Sequence, residues 1–136
     1  MHNSLLCIMP QARSRRDDGN PLESTPRYLD LVEELARTIE SLYPGWRMRI
    51  YHNVSSAQPA TLARLCSLYC GHQHVDLCDT RRLPGLGDLN TQFPVGRFWR
   101  FQTLGDATVR RFLVRDTDAW LLPRERAAVT QWEESG

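Results

Sequence analysis

Phe112-Leu113-Val114-Arg115-Asp116-Thr117-Asp118-Ala119-Trp120 is the stretch on which the reading of this chain turns. Three apolar residues lead into an arginine and then into two carboxylates spaced i, i+2. An apolar run closed by turn residues reads as a buried strand, and the acids stand where that strand ends. At such a turn two side chains two apart can meet at one point, which makes Asp116 and Asp118 candidate ligands for Mg²⁺ or Mn²⁺. These hard cations take oxygen donors, usually one or two carboxylates together with substrate phosphates. In an open α/β sheet the ligand sits in the crevice beyond the carboxyl ends of the strands. The competing explanation is that both acids are turn residues, because Asp is common wherever chains reverse.

Upstream of this strand, Arg97-Phe98-Trp99-Arg100-Phe101 mixes bases with aromatics. The pattern predicts a helix over Pro94 to Leu104, with Val95, Phe98 and Trp99 turned inward. Arg97 and Arg100 fall on another side, within reach of a diphosphate held at the acids. A solvated arginine face or base stacking are the other uses of such a run. Downstream, Pro123 suits the first position of a last helix, with Ala128, Val129 and Trp132 on one face.

The amino-terminal half alternates between the helical and the strand period. Leu5 to Met9 is a short apolar run that reads as a strand, and the polar stretch Gln11 to Thr25 reads as a flexible connection. Thr25-Pro26 opens a helix whose Tyr28, Leu31, Val32, Leu35, Ile39 and Leu42 form one apolar face, and Pro44-Gly45 closes it. Trp46, Met48 and Ile50 alternate with Arg47, Arg49 and Tyr51, the pattern of a strand with one buried face. A second helix runs from about Pro59 to Cys70 with Leu62, Leu65, Cys66 and Tyr69 together, and Val75 and Leu77 mark another strand. Pro84-Gly85-Leu86-Gly87-Asp88 reads as a surface loop, since G-x-G cradles phosphate only between a strand and a helix. Helices alternating with strands, over connections too long for hairpins, give an α/β class: a mostly parallel sheet with helices on both faces, three layers in all. Residues 1–25 divide off as a flexible segment and 26–136 as one domain.

Composition is that of a globular domain, 41% hydrophobic and 24% charged with a net charge of +1, which leaves no electrostatic footprint for nucleic acid. Every basic side chain apart from histidine is arginine, whose rigid fork suits phosphate and carboxylate. No run approaches the roughly 18 apolar residues of a membrane span. Leu5 to Met9 is short for a signal peptide and lacks a basic flank, so the reading is cytoplasmic or part of something longer. Cys66, Cys70, His72, His74 and Cys78 offer enough thiolate and imidazole for zinc. Their spacing matches no common finger, so Cys66 is expected in the core and the histidines at a helix end. In a secreted parent, a disulfide among these cysteines is a further option. No G-x-S-x-G turn is present to expose a serine nucleophile.

Tyr43-Pro44-Gly45-Trp46 leading to Arg49-Ile50-Tyr51, then Phe98-Trp99-Arg100-Phe101, then Arg115-Asp116-Thr117-Asp118 with Arg124-Glu125 and Trp132, resembles DxD-containing glycosyltransferase-like proteins of the GT-A type. The similarity covers about Tyr28 to Gly136. It implies a nucleotide-sugar-binding fold in which the acids grip a cation bridging the donor's diphosphate. Asp118 would ligate directly, and Asp116 would contact the ribose, or the metal through water. Arg115 and Arg100 would support the charge. Ala119 stands where this group carries serine, and the group's usual first strand is not recognisable upstream of Tyr28. The resemblance implies a partial chain without the carboxyl-terminal acceptor half, binding donor weakly and transferring nothing. It leaves open a secretory or Golgi full-length parent and pairing with a full-length relative.

Two further readings compete. Haloacid-dehalogenase phosphatases also place D-x-D after a buried strand, with the first Asp as nucleophile, but they want Thr or Val where Trp120 stands. A non-catalytic α/β interaction domain would use neither acid for metal.

Overall fold

A computed structural model describes residues 4–9, 25–92 and 96–136, with side chains over 29–92 and 98–136. Four strands, β1 (Ser4–Met9), β2 (Arg47–His52), β3 (Val75–Asp79) and β4 (Arg111–Asp116), form one sheet in the order β3-β2-β1-β4. All three pairings are parallel. Helix α1 (Thr25–Leu42) joins β1 to β2, and α2 (Pro59–Gly71) joins β2 to β3. The return from β3 to β4 carries the four-residue α3 (Leu89–Gln92) and a 3₁₀ segment (Gly96–Gly105), and α4 (Pro123–Glu134) follows β4. The fold is therefore mixed α/β on a small parallel sheet, as the alternation of periods implies.

The run Ser4–Met9 is one of the two inner strands of this sheet, between β2 and β4. It carries the domain back past residue 26. The polar stretch from residue 10 to residue 24 lies outside the described residues.

The larger core lies on the α1 and α2 face. Val32, Leu35, Ala36, Ile39 and Tyr43 of α1 and its end pack on Met48 and Ile50 of β2, with Leu68, Val75, Leu121 and Val129. Each such aliphatic side chain, fully buried, contributes roughly 1.5–3 kcal/mol. On the opposite face Tyr51, Leu89 and Trp99 form a second cluster, and the Tyr51 and Thr103 hydroxyls are hydrogen-bonded at 2.9 Å. Right-handed crossovers require this division: strands added in one direction put their helices on one face, and the reversed crossover uses the other. Tyr51 is thus buried as well as Met48 and Ile50, so β2 has two covered faces where its alternation predicts one.

Two Pro-Gly pairs set the turns. Trp46 N–H donates to Tyr43 O at 3.0 Å and Leu86 N–H to Leu83 O at 3.1 Å. Gly45 and Gly85 have φ of 83° and 76°. Proline at the second position and a positive-φ glycine at the third make type II turns. The G-x-G stretch is such a loop, closed by pairing of Leu83 with Gly87.

Three inward assignments change. Leu65 and Leu68 are the buried pair of α2, whereas Cys66 and Tyr69 face solvent. The segment from Gly96 is 3₁₀, not α, and at three residues per turn Phe98, Phe101 and Leu104 share one face. All three are exposed, and Trp99 alone of the expected aromatic pair is buried; Val95 lies outside the described residues. In α4, Val129 is buried while Ala128 and Trp132 are exposed, with the Arg111 guanidinium 5.9 Å from the Trp132 ring centre. Among the described residues no helix is long and apolar enough to cross a membrane.

Candidate functional site

Asp116 is the last residue of β4 and pairs in register with Met9, the last of β1. Strand order reverses at this boundary, since β2 and β3 lie to one side of β1 and β4 to the other. In open α/β sheets the crossovers leave such a boundary in opposite directions, which makes it the usual ligand position. The D-x-D turn directly follows β4 at this boundary.

Strand alternation sorts the side chains at this end. Leu113 packs on the α1 face, so Arg115 follows it there and Asp116 points to the face of the 3₁₀ segment. Arg100, from that segment, donates from Nη1 to Asp116 Oδ1 and to Arg115 O, the latter at 3.2 Å. The Arg100 side chain is 14% exposed and that of Asp116 48%, so the pair offers its carboxylate end to solvent. Arg115 is bound to Glu125 in the first turn of α4 and donates to Trp120 O at 2.8 Å. Its guanidinium thus ties the D-x-D turn to the start of α4, a position that favours an acid because helix N-termini are partially positive.

The turn itself is closed by Ala119 N–H donating to Asp116 O at 3.1 Å. Thr117 is buried. Asp118 is exposed and borders a cavity of ≈ 50 Å³ against α1, with Glu34, Thr38 and Trp120. A space of this size suits ordered water or an ion, since pockets for whole small-molecule ligands run to roughly 300 Å³ and more. Of the residues expected at the site, the structure brings Arg100 to Asp116, directs Arg115 to Glu125 on the other face, and gives Asp116 and Asp118 different neighbours. The Arg97 side chain lies outside the described residues.

A second polar group occupies the same end of the sheet, two and three strands from β4. His52 and Asp79 close β2 and β3 and are in register. Arg81 holds Asp79 by two bonds of 2.8 and 2.7 Å and donates to Val54 O at 2.9 Å. Those bonds, with the Arg81 backbone N–H, hold the Asp79 carboxyl down at about 2. His52 is buried, its Nδ1 has no hydrogen-bond partner among the described residues, and burial lowers its pKa below the ordinary imidazole value. Asn90 links Thr80 Oγ1 at 3.3 Å to Asp88 Oδ1 at 2.8 Å. The sequence signal for this group was present: Asp79 follows the apolar Val75 and Leu77 as Asp116 follows Phe112 to Val114.

The cysteine and histidine run separates. Cys66 and Cys70 are exposed thiols on α2, and Cys78 lies half-buried on β3. His72 and His74 instead face Glu40 of α1. Comparison with protein-family models, curated proteins and solved structures finds no match to this chain.

Proposed function

We propose that this chain binds a nucleoside diphosphate, as the donor part of a nucleotide-sugar, at the Asp116–Asp118 turn, in the manner of GT-A-type glycosyltransferase-like proteins with their three-layer fold. The observation that carries the reading is the position of this turn at the end of β4 beside the end of β1, where strand order reverses. Two solvent-reaching carboxylates match the donor set of Mg²⁺ or Mn²⁺, which takes one or two protein carboxylates and completes its shell with phosphate and water. Asp118 is the direct ligand and Asp116 the ribose or water-mediated contact. A cation held by Asp118 and Asp116 would neutralise the diphosphate and supply Lewis acidity toward it.

The chain's own residues prepare this site. Arg100 holds the Asp116 carboxylate at the end of β4, and its fork can exchange that carboxylate for a phosphate oxygen when donor arrives. Arg115 acts on the turn through Glu125 and the backbone, as a positioning residue. Thr117, buried between the two acids, anchors the turn against the domain.

Calorimetric titration with Mn²⁺ and with UDP or GDP tests the proposal. Diphosphate binding that requires Mn²⁺, and that weakens at least about tenfold in Asp118→Ala, is the expected result. Equal binding by both chains refutes it. A non-catalytic interaction domain is the second reading, favoured by the Arg100 partner that Asp116 already has and by the small cavity beside Asp118. It predicts no Mn²⁺ dependence in either chain.

A further inference from the structure

We propose a second cation site, distinct from the acids and at the opposite edge of the sheet, formed by Glu40, His72 and His74 and suited to Zn²⁺. One ring nitrogen of each histidine and one carboxylate oxygen of Glu40 lie within 4.8 Å of one another. His72 directly follows α2, His74 directly precedes β3, and Glu40 belongs to the last turns of α1. Two imidazoles and one carboxylate form a borderline donor set, which zinc takes with a fourth position left to water.

The backbone holds both imidazoles in place before any cation binds. His72 N–H donates to Leu68 O at 3.1 Å, Val75 N–H to His72 O at 3.0 Å, and Met48 N–H to His74 O at 2.7 Å. The i, i+2 histidines therefore sit on a turn pinned to α2 at one end and to β2 at the other, with their rings edge to face at 5.5 Å. Little conformational entropy remains to be lost on binding.

His74 carries the more specific sign. Its Nε2 lies 2.8 Å from Ala36 O, and a carbonyl only accepts, so Nε2 is the donor and Nδ1 is the nitrogen left for a cation. Metal-bound histidines make this same outer contact, donating the second ring N–H to a backbone carbonyl, which orients the ring and raises its basicity. His72 Nδ1 stands 3.9 Å from Glu40 Oε2. Tetrahedral zinc with bonds of about 2.0–2.1 Å would draw neighbouring donors to about 3.3 Å. The Glu40 side chain is 67% exposed, and is free to make that movement. None of the three described thiols joins this group. The cation would brace the end of α1 against the α2–β3 connection.

The test uses the whole chain, zinc competition against a chromophoric chelator, and Co²⁺ absorption spectroscopy. One equivalent of Zn²⁺ is expected to bind and to raise the melting temperature. His72→Gln, His74→Gln and Glu40→Gln should each weaken binding about tenfold or more. A combined Asp116→Asn, Asp118→Asn chain should bind zinc as the parent does, which separates this site from the proposed diphosphate site. His72→Gln keeps both backbone bonds of the turn, so it remains informative if His74→Gln folds poorly. Absence of zinc binding, or unchanged affinity in His72→Gln, overturns the proposal. So does a thiolate charge-transfer band with Co²⁺ that disappears when Cys66, Cys70 and Cys78 are changed to serine.

Discussion

Arg100 and Arg115 show how two identical side chains near one motif take different work from their geometry. Arg100 reaches Asp116 from the 3₁₀ segment, and Arg115, one strand position before that acid, is sent by the pleat to Glu125. Replacing Arg115 by Ala removes the bonds to Glu125 and to the turn backbone, and leaves a part-buried carboxylate without its partner. Urea unfolding should show a loss of about 2 kcal/mol, in the range for hydrogen bonds to charged groups. Arg100→Ala should instead act mainly on ligand binding, lowering Mn²⁺-dependent UDP or GDP affinity in the titration above. Gly45 offers a separate check at this scale. Its φ of 83° lies in the left-handed region and an added Cβ would touch nothing. Gly45→Ala should therefore cost about 1–2 kcal/mol from backbone conformation alone, read as a lower urea midpoint with an unchanged slope.

Among the elements, α1 contributes most to the main core. Its Val32, Ala36 and Ile39 have no exposed surface, and they lie along the stripe expected of an amphipathic helix that packs on a sheet. Ile39→Ala should lower stability by about 2–5 kcal/mol, since the surrounding Tyr43, Met48 and Ile50 leave a cavity that closes only in part. The 3₁₀ segment is the opposite case. Its apolar residues occur at a spacing compatible with either helix type, and only the tighter winding puts Phe98, Phe101 and Leu104 on one outward face. Nothing in that stretch of sequence states which winding is adopted. Packing of Trp99 beside Tyr51 and Leu89 selects it.

For the whole molecule, acid stability gives a coupled prediction. Asp79 and Asp106 are both held near 2, against an ordinary value of 3.8: Asp79 first by its bonds from Arg81, Asp106 first by the Thr108 hydroxyl and then by Arg49. Their depressed values favour folding wherever the unfolded carboxyl is ionised. That contribution is complete above about pH 4 and is lost as pH falls toward 2. His52, lowered chiefly by burial, acts in the same direction at higher pH, because the unfolded imidazole takes its proton first. Melting temperature should begin to fall as pH drops through the ordinary histidine range and fall again below pH 4. His52→Gln should flatten the first step, and Asp79→Asn together with Asp106→Asn the second.

Local chemistry along the chain was sufficient for the class of fold and the place of nearly every element. The Pro-Gly turns, the helical stripe of α1 and the apolar run ahead of Asp116 are short-range signals, each set by backbone sterics or by the period of one element. The strand at Ser4–Met9 was legible as a strand but not as an inner strand of the sheet, because strand order depends on pairings between distant residues. The same limit governed the sites. Asp116 was readable as a strand-end acid, whereas its Arg100 partner, the Arg115 link to Glu125 and the meeting of His72 and His74 with Glu40 join residues from separate elements. Only packing of the helices across the sheet brings such groups within bonding distance, and no spacing in the sequence records it.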